Sequence, residues 1–526
     1  MTRWLRALLA CAVLFWLTGT AEAVTRGGTL TYARYADSLF LDPVFNDANV
    51  DIWILTNLYD TLLQPTADGT GVEPGLASEY QMSDDGLSMT LKLRPNIKFS
   101  DGSPITVNDV TWSLDRARDP NNGIWSFTLA SVDKIETQGE DTVVLRLKHP
   151  DPTLIAGLAT FNSAILPQKP YEAEAGATME EKAKAFAEHP VGSGPFQFES
   201  WQRGTELVIK RNPHYWKMGE DGQPLPYLDE VRFPVIPDDA TRILKLQAGE
   251  VDGAELIPYA RVAELKNDPN LNMELFQSTK VQFITVNVRT TLKNGEKNVL
   301  ADPKVRQALN YAIDKDALAK IVTFGVGTPM VSFMSSTTPM AINNGPVYPY
   351  DVEKAKALLK EAGVAEGTEV TSIGLAGSAD ETAILSTIQQ MWSAVGVKLS
   401  IEQLDNATRT ARYRDGDFQM RVSLWTNDIN DPSQITSYFA YFPNIESLHS
   451  GYQDKRIDEL FETSQQEMDK EKRAVMYKEI QETYVAAAPI MFLYESPYPV
   501  ALRKAVKGFV QIPLGNNIFS GAYVEK

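Results

Sequence analysis

Asp428 and Asp431 stand three residues apart in the segment Trp425-Thr426-Asn427-Asp428-Ile429-Asn430-Asp431-Pro432. Paired carboxylates are the groups that general acid and base catalysis requires. Nothing else assembles around them in the sequence, and aspartates this close together are far more often turn formers. Other reactive types are just as scattered. There is no Gly-x-Ser-x-Gly turn, and Gly192-Ser193-Gly194 lacks that spacing. The four histidines, His149, His189, His214 and His449, never fall in a His-Glu-x-x-His pattern, which predicts structural or exposed roles and no metal site. Gly325 and Gly327 have no third glycine in register for a dinucleotide loop, and no Walker pattern occurs. The sequence therefore predicts no catalytic residue and no cofactor, with a hydrolase as the competing class.

The N-terminus sets the expected compartment. Arg3 and Arg6 precede an apolar stretch from Ala7 to Leu17, and Ala21-Glu22-Ala23 ends it as an A-x-A cleavage pattern before Val24. That order is the order of a secretory signal peptide over residues 1–23. Its apolar core is about half the ~20 residues that span a bilayer, so a permanent anchor is not expected. The only cysteine, Cys11, lies inside this segment, in a context that only loosely resembles a lipoprotein attachment site. Too few residues precede Cys11 for a complete apolar segment, so cleavage after Ala23 is the expected outcome. The mature chain then has no thiol chemistry and no disulfide, and the expected location is the periplasm.

A length of 526 residues predicts more than one domain. The composition, 43% hydrophobic and 22% charged, is that of an ordinary globular protein. The net charge of −18 becomes one unit more negative once Arg3, Arg6 and Glu22 are removed. Such a charge argues against nucleic acid and anionic lipid as partners. It does not identify a ligand.

Strand and helix signals alternate along the mature chain, without repeats or low-complexity segments. Leu87 to Leu93 alternates as a half-buried strand. Thr106, three residues before Asp109, marks a helix start by a capping box. Asp302-Pro303 and Asp351 read as two more helix starts, with Gly363 as a stop. Residues 370–375, 384–395 and 397–404 read as strand, helix, strand, a right-handed βαβ unit. Two nearly continuous apolar runs, 281–288 and 489–494, suit strands covered on both faces.

The ordered motifs together resemble the large extracytoplasmic solute-binding proteins of peptide and nickel importers, bacterial family 5. They run from Gly27-Gly28-Thr29-Leu30 and Leu41-Asp42-Pro43 through Asn57-Leu58-Tyr59-Asp60-Thr61-Leu62 and Pro74-Gly75-Leu76-Ala77. Arg94-Pro95-Asn96-Ile97-Lys98-Phe99-Ser100-Asp101-Gly102, Gly192-Ser193-Gly194-Pro195-Phe196, Arg211-Asn212-Pro213-His214-Tyr215-Trp216 and Arg306-Gln307-Ala308-Leu309-Asn310-Tyr311-Ala312-Ile313 follow in the same order. The resemblance covers nearly all of the mature chain. It implies an α/β, two-lobe periplasmic-binding-protein architecture of the class II kind, with an extra subdomain and a two-strand hinge. Lobe I would be residues 24–283 plus 495–526 with an insertion near 72–190, and lobe II residues 284–494. The apolar runs would then be the hinge strands.

The resemblance also implies a function: a monomeric binding component that delivers a small, peptide-like solute to the permease of an ABC importer. The segment from Trp425 to Pro432 resembles the family's cleft motif W-x-x-D-x-x-D-P. In peptide-binding members the carboxylate at the Asp428 position pairs with the ligand ammonium, and Trp425 would supply an apolar wall beside Thr426 and Asn427. Phe45, Asn46 and Asp47 fall where the first lobe of the family lines the cleft. From the residues alone, a turn capped by Asp428 over a core Trp425, and a surface turn at 45–47, are the alternatives. One departure stands out. Dipeptide binders carry an arginine just before the helix at 384–395, and Gly374 to Glu381 contains none. A free ligand carboxylate lacks a bidentate partner there, which implies a ligand that is longer than a dipeptide, carries its acid group elsewhere, or is not a peptide; an opine, a sugar or a metal chelate is the competing ligand class. A sensory receptor that feeds no importer is a further alternative.

Overall fold

A computed structural model describes residues 24–46, 48–343 and 347–525. The expected export segment 1–23, with Cys11, lies outside the described residues, as does Asp47. Two large mixed sheets organise the chain. The first runs, edge to edge, Leu271–Phe276, Tyr498–Arg503, Gly253–Ala254, Thr29–Ala33, Glu230–Pro234, Glu206–Arg211 and Phe196–Gln202. Thr29–Ala33 is parallel to both of its neighbours, and the remaining pairings are antiparallel. The second runs Thr328–Pro329, Ile490–Glu495, Val281–Val286, Met420–Trp425, Thr368–Leu375 and Val397–Leu404. A third, antiparallel sheet is built only from residues between Ala77 and Leu147, in the order Ala77–Met82, Ser88–Leu93, Thr142–Leu147, Val132–Gln138.

The two apolar runs form strands for the expected reason. Side chains alternate between faces along a strand. Val281 and Phe283 point into one buried cluster with Ile490 and Phe492, while Ile284 and Val286 join Met491 and Leu493 in another. The strands they form, Val281–Val286 and Ile490–Glu495, however, both belong to the second sheet and pair antiparallel with each other. The expected boundary after residue 283 therefore cuts through a strand. The chain passes between the two large sheets in the short segments 277–280 and 496–497. Two-sided burial marks a central strand, and it carries no information about where the chain leaves a sheet.

The βαβ reading is observed as Thr368–Leu375, Ala379–Ser393 and Val397–Leu404, with the two strands parallel in unbroken register. Helix starts follow their caps. Thr106 and Asp109 exchange both capping-box bonds, Asp302 accepts from Lys304 N before Pro303, and Asp351 accepts from Lys354 N. Gly363 follows the helix Val352–Glu361 at a positive φ that favours glycine. Among the described residues no helix is long and apolar enough to cross a membrane.

Candidate functional site

The loop from Trp425 to Asp431 leaves the central strand Met420–Trp425 and enters the helix Pro432–Phe439. Local chemistry sets both ends. Asp431 caps the helix through Ser433 N at 2.8 Å, and Pro432 occupies the first turn, where its missing N–H costs nothing. The Asp431 carboxylate is then locked by Arg473, Nη1 to Oδ2 at 2.6 Å and Nη2 to Oδ1 at 2.7 Å. Asn427 is buried and fully engaged. Its N–H donates to Thr279 Oγ1 at 2.8 Å, its Nδ2 to Thr338 Oγ1 at 3.2 Å, and its Oδ1 accepts from Trp425 Nε1 at 2.8 Å. The loop is thus tied to the crossover at 277–280.

Asp428 differs from its neighbours. Gln434 braces it, accepting from Asp428 N at 2.9 Å and donating from Nε2 to Asp428 Oδ2 at 3.0 Å. No cation pairs with Asp428 among the described residues. Burial pushes its carboxyl up to about 6, and the Gln434 hydrogen bond offsets part of that rise. The Asp428 charge reaches across to the first sheet, where, after burial, it is the next cause raising the Tyr498 hydroxyl. A desolvated, half-buried carboxylate without a partner can accept a cation with little competition from water.

Trp425 supplies a flat wall, packed on Tyr438 at 4.7 Å and edge-on to Phe439 at 5.8 Å between ring centroids. Behind Tyr438 and Gln434, and not lined by Trp425 or Asp428 themselves, lies a cavity of about 410 Å³. Ile429, Gln434 and Tyr438 line one side, and Phe127, Thr128 and Gly157 of the part built on the third sheet line the other. Asn430 Nδ2 also reaches Gly71 O at 3.2 Å, so the loop touches the opposite body directly.

The structure brings Trp425, Thr426, Asn427 and Asp428 together in this loop, with Asn427 as a brace and Thr426 half-buried. Phe45 and Asn46 do not join them. Phe45 packs under the Arg116 guanidinium at 5.5 Å. Asn46 is buried and bonds Phe40 O, Asp51 Oδ2 and Ala48 N. Its carbonyl accepts from Trp125 Nε1, and Trp125 backs Phe127, so these residues support the wall from behind.

Several participants carried no signal of their own. Gln434 and Tyr438 sit one and nearly two turns into the helix that Asp431 starts. Tyr498 comes from the far end of the chain. Leu424 is 59% exposed although its strand is central in the sheet. Its position directly before Trp425 was the available hint. Lys280, in the crossover, holds its Nζ 5.7 Å from the Tyr259 ring and forms no ion pair among the described residues. In the segment without arginine, Glu381 accepts from Leu375 N and pairs with Arg409 at 2.7 Å.

Asp431 is consumed by Arg473. Ser193 Oγ accepts from Asp60 N and lies within reach of Ile165 O, which gives it a structural role. Among the described residues no three His, Cys, Asp or Glu side chains are grouped to hold a metal ion.

Comparison with known proteins accords with this arrangement. The dipeptide-binding protein of Escherichia coli K12 is 29% identical over 534 residues, covering 96% of each chain. The glutathione-binding protein GsiB of Pectobacterium atrosepticum is 30% identical over 447 residues, 83% of each chain. The solved structure of the ABC transporter-associated periplasmic binding protein DppA from Helicobacter pylori, in complex with the peptide STSA, superposes with a TM-score of 0.77 at 26% identity. That match covers 95% of this chain and 99% of the other. The two large sheets and these likenesses give the two-lobe α/β fold of periplasmic binding proteins. With residues 71–446 matching the model of the bacterial extracellular solute-binding proteins, family 5 Middle, the chain belongs to the family 5 solute-binding proteins.

Proposed function

We propose that this protein captures a peptide or peptide-like solute between its lobes and delivers it to the permease of an ABC importer, with Asp428 receiving the ammonium group of the ligand. The observation that carries this reading is Asp428 itself: a desolvated carboxylate with no ion pair among the described residues, braced by Gln434, which with Ile429 lines a cavity walled by both bodies. Trp425 and Tyr438 offer flat apolar contact for side chains, and Lys280 is the unpaired cation nearest the crossover. Relatives named for dipeptides and glutathione, and a neighbour solved with a tetrapeptide, support the ligand class.

In this reading lobe I comprises residues 24–276 plus 498–525 and lobe II residues 281–495, opening about the segments 277–280 and 496–497. The protein works in the periplasm after loss of residues 1–23. Recognition involves no bond-making. A non-peptide solute is the second reading, since Gly374 to Glu381 holds no arginine for a dipeptide carboxylate.

The test begins with a thermal-shift screen of short peptides, opines and oligosaccharides, since a ligand of the folded state raises the melting point by mass action. Calorimetry on the best peptide then compares it with its N-acetylated form. Acetylation or Asp428→Ala weakens binding at least tenfold if the ammonium sits on Asp428. Equal affinity for the free and acetylated peptides overturns that role.

A further inference from the structure

A second cavity, of about 480 Å³, lies wholly within lobe I beneath the helix Asn49–Leu58. None of its lining residues borders the cavity between the lobes. Leu55, Tyr59 and Phe161 form an apolar wall on one side, and Val510, Ile512 and Ile518 of the C-terminal hairpin form one on the other. Its size falls in the range of small-molecule sites.

Between these walls one carboxylate of the lining is buried. Asp60 is buried, with Oδ1 accepting from Gln64 Nε2 at 2.8 Å and Oδ2 from Trp216 Nε1 at 2.6 Å. Both donors are neutral, and each oxygen keeps a free lone pair. The nearby cations are engaged elsewhere. Lys217 Nζ sits 3.0 Å from the Glu73 carboxylate. Arg94 lies over the Trp216 ring at 4.1 Å and bonds Gly75 O at 2.7 Å. Glu220, exposed, joins Glu73 and Lys217 where the cavity meets solvent, so its lining carries three carboxylates against one ammonium. Thr56 Oγ1, on a lining residue, has no hydrogen-bond partner among the described residues. Burial pushes the Asp60 carboxyl up to about 7, with the Trp216 and Lys217 contacts pulling it back. The cavity thus has two apolar walls, a buried carboxylate with no ion pair among the described residues, and an acidic entrance.

We propose that this cavity is a second ligand site, distinct from the cleft, which takes a small amphiphilic amine with its ammonium on Asp60 and its hydrocarbon body between Phe161 and Ile512. A bound cation supplies the charge that Asp60 lacks, and the apolar body displaces water from the walls. The site needs no movement of the lobes, since every group belongs to lobe I.

The probe is 4-phenylbutylamine, with 4-phenylbutanol as its uncharged counterpart, titrated calorimetrically into the full chain. Saturable binding of the amine is expected, at least tenfold tighter than that of the alcohol. Asp60→Asn removes that preference, and Asp428→Ala leaves it unchanged. Should Asp60→Asn fail to fold by circular dichroism, Ala67→Trp, at an exposed lining position, decides the matter by filling the cavity and weakening the amine at least tenfold. Absence of saturable binding, equal affinity for amine and alcohol, or loss on Asp428→Ala in place of Asp60→Asn overturns the proposal.

Discussion

Arg473 grips Asp431 through two parallel bonds of 2.6 and 2.7 Å, with both side chains buried, while Asp428, three residues earlier, pairs with no cation among the described residues. One short loop therefore holds a neutralised carboxylate and an unneutralised one. The first fixes the loop and caps its helix; the second is left for a ligand.

Arg473→Ala strands the Asp431 charge in a dry site. Removing one partner of a buried pair costs about 3–5 kcal/mol. Chemical denaturation of the ligand-free protein should show that loss in the transition that reports lobe II. Replacing both residues together, Asp431→Asn with Arg473→Met, should recover a large part of it, because no buried charge is left alone.

Asp428 links ligand affinity and stability to pH with opposite signs. Its carboxyl is held near 6, above its ordinary value of 3.8, so between about pH 4 and 6 the native state binds more protons than the unfolded one. This group's contribution to stability therefore falls as pH rises through that window. Asp428→Asn removes the penalty and should stabilise the ligand-free protein at pH 7 by about 1–3 kcal/mol, while abolishing preference for a free ammonium. Affinity of the wild type for such a ligand rises from pH 5 to pH 7. Calorimetry in buffers of different ionisation enthalpy should register proton release on binding near pH 6. A flat pH profile contradicts the assignment.

The boundary between what was legible and what was not follows sequence distance. Caps at Thr106, Asp302 and Asp351 depend on residues within one turn of each other, and the βαβ unit ending at Leu404 on consecutive segments with clear periodicity, and the structure shows each. The loop motif at 425–432 was legible as well, because a strand end, a capping aspartate and a proline are adjacent in the chain. The partners that give that motif its meaning are not local. Arg473 is 42 residues from Asp431, and Thr279 is 148 residues from Asn427. No periodicity reports such contacts. For the same reason the apolar runs at 281–288 and 489–494 declared their burial but not their shared sheet, and Asn46 read as a cleft residue although its amide is spent on Asp51 and Phe40.

Thr279 couples the ligand loop to the crossover, and its removal separates folding from opening. Thr279→Val leaves the buried Asn427 N–H without an acceptor, which costs about 1–3 kcal/mol. Its sharper signature is in binding. With the loop loosened from the segment about which the lobes move, peptide affinity should fall mainly through faster dissociation, measured by stopped-flow fluorescence of Trp425. Thr279→Ser, which keeps the hydroxyl, should behave as wild type. An unchanged dissociation rate in the valine variant shows that the bond is a local brace only.

The support behind the first-lobe wall rests on Arg116. Its Nη2 contacts both oxygens of Asp42, at 2.6 and 2.5 Å, and the Tyr171 hydroxyl at 2.7 Å. Asp42 Oδ1 in turn accepts from Val44 N and Phe45 N, so one buried charge orders the turn that carries Phe45 and Asn46. Arg116→Met strands Asp42 and should cost about 3–5 kcal/mol of lobe I stability. Asp42→Asn added to it should cost far less than it does alone, since the two residues act as one unit. A double-mutant cycle by urea denaturation measures that coupling. Additive losses mean that the turn is held by its backbone bonds, and that Arg116 merely packs against Phe45.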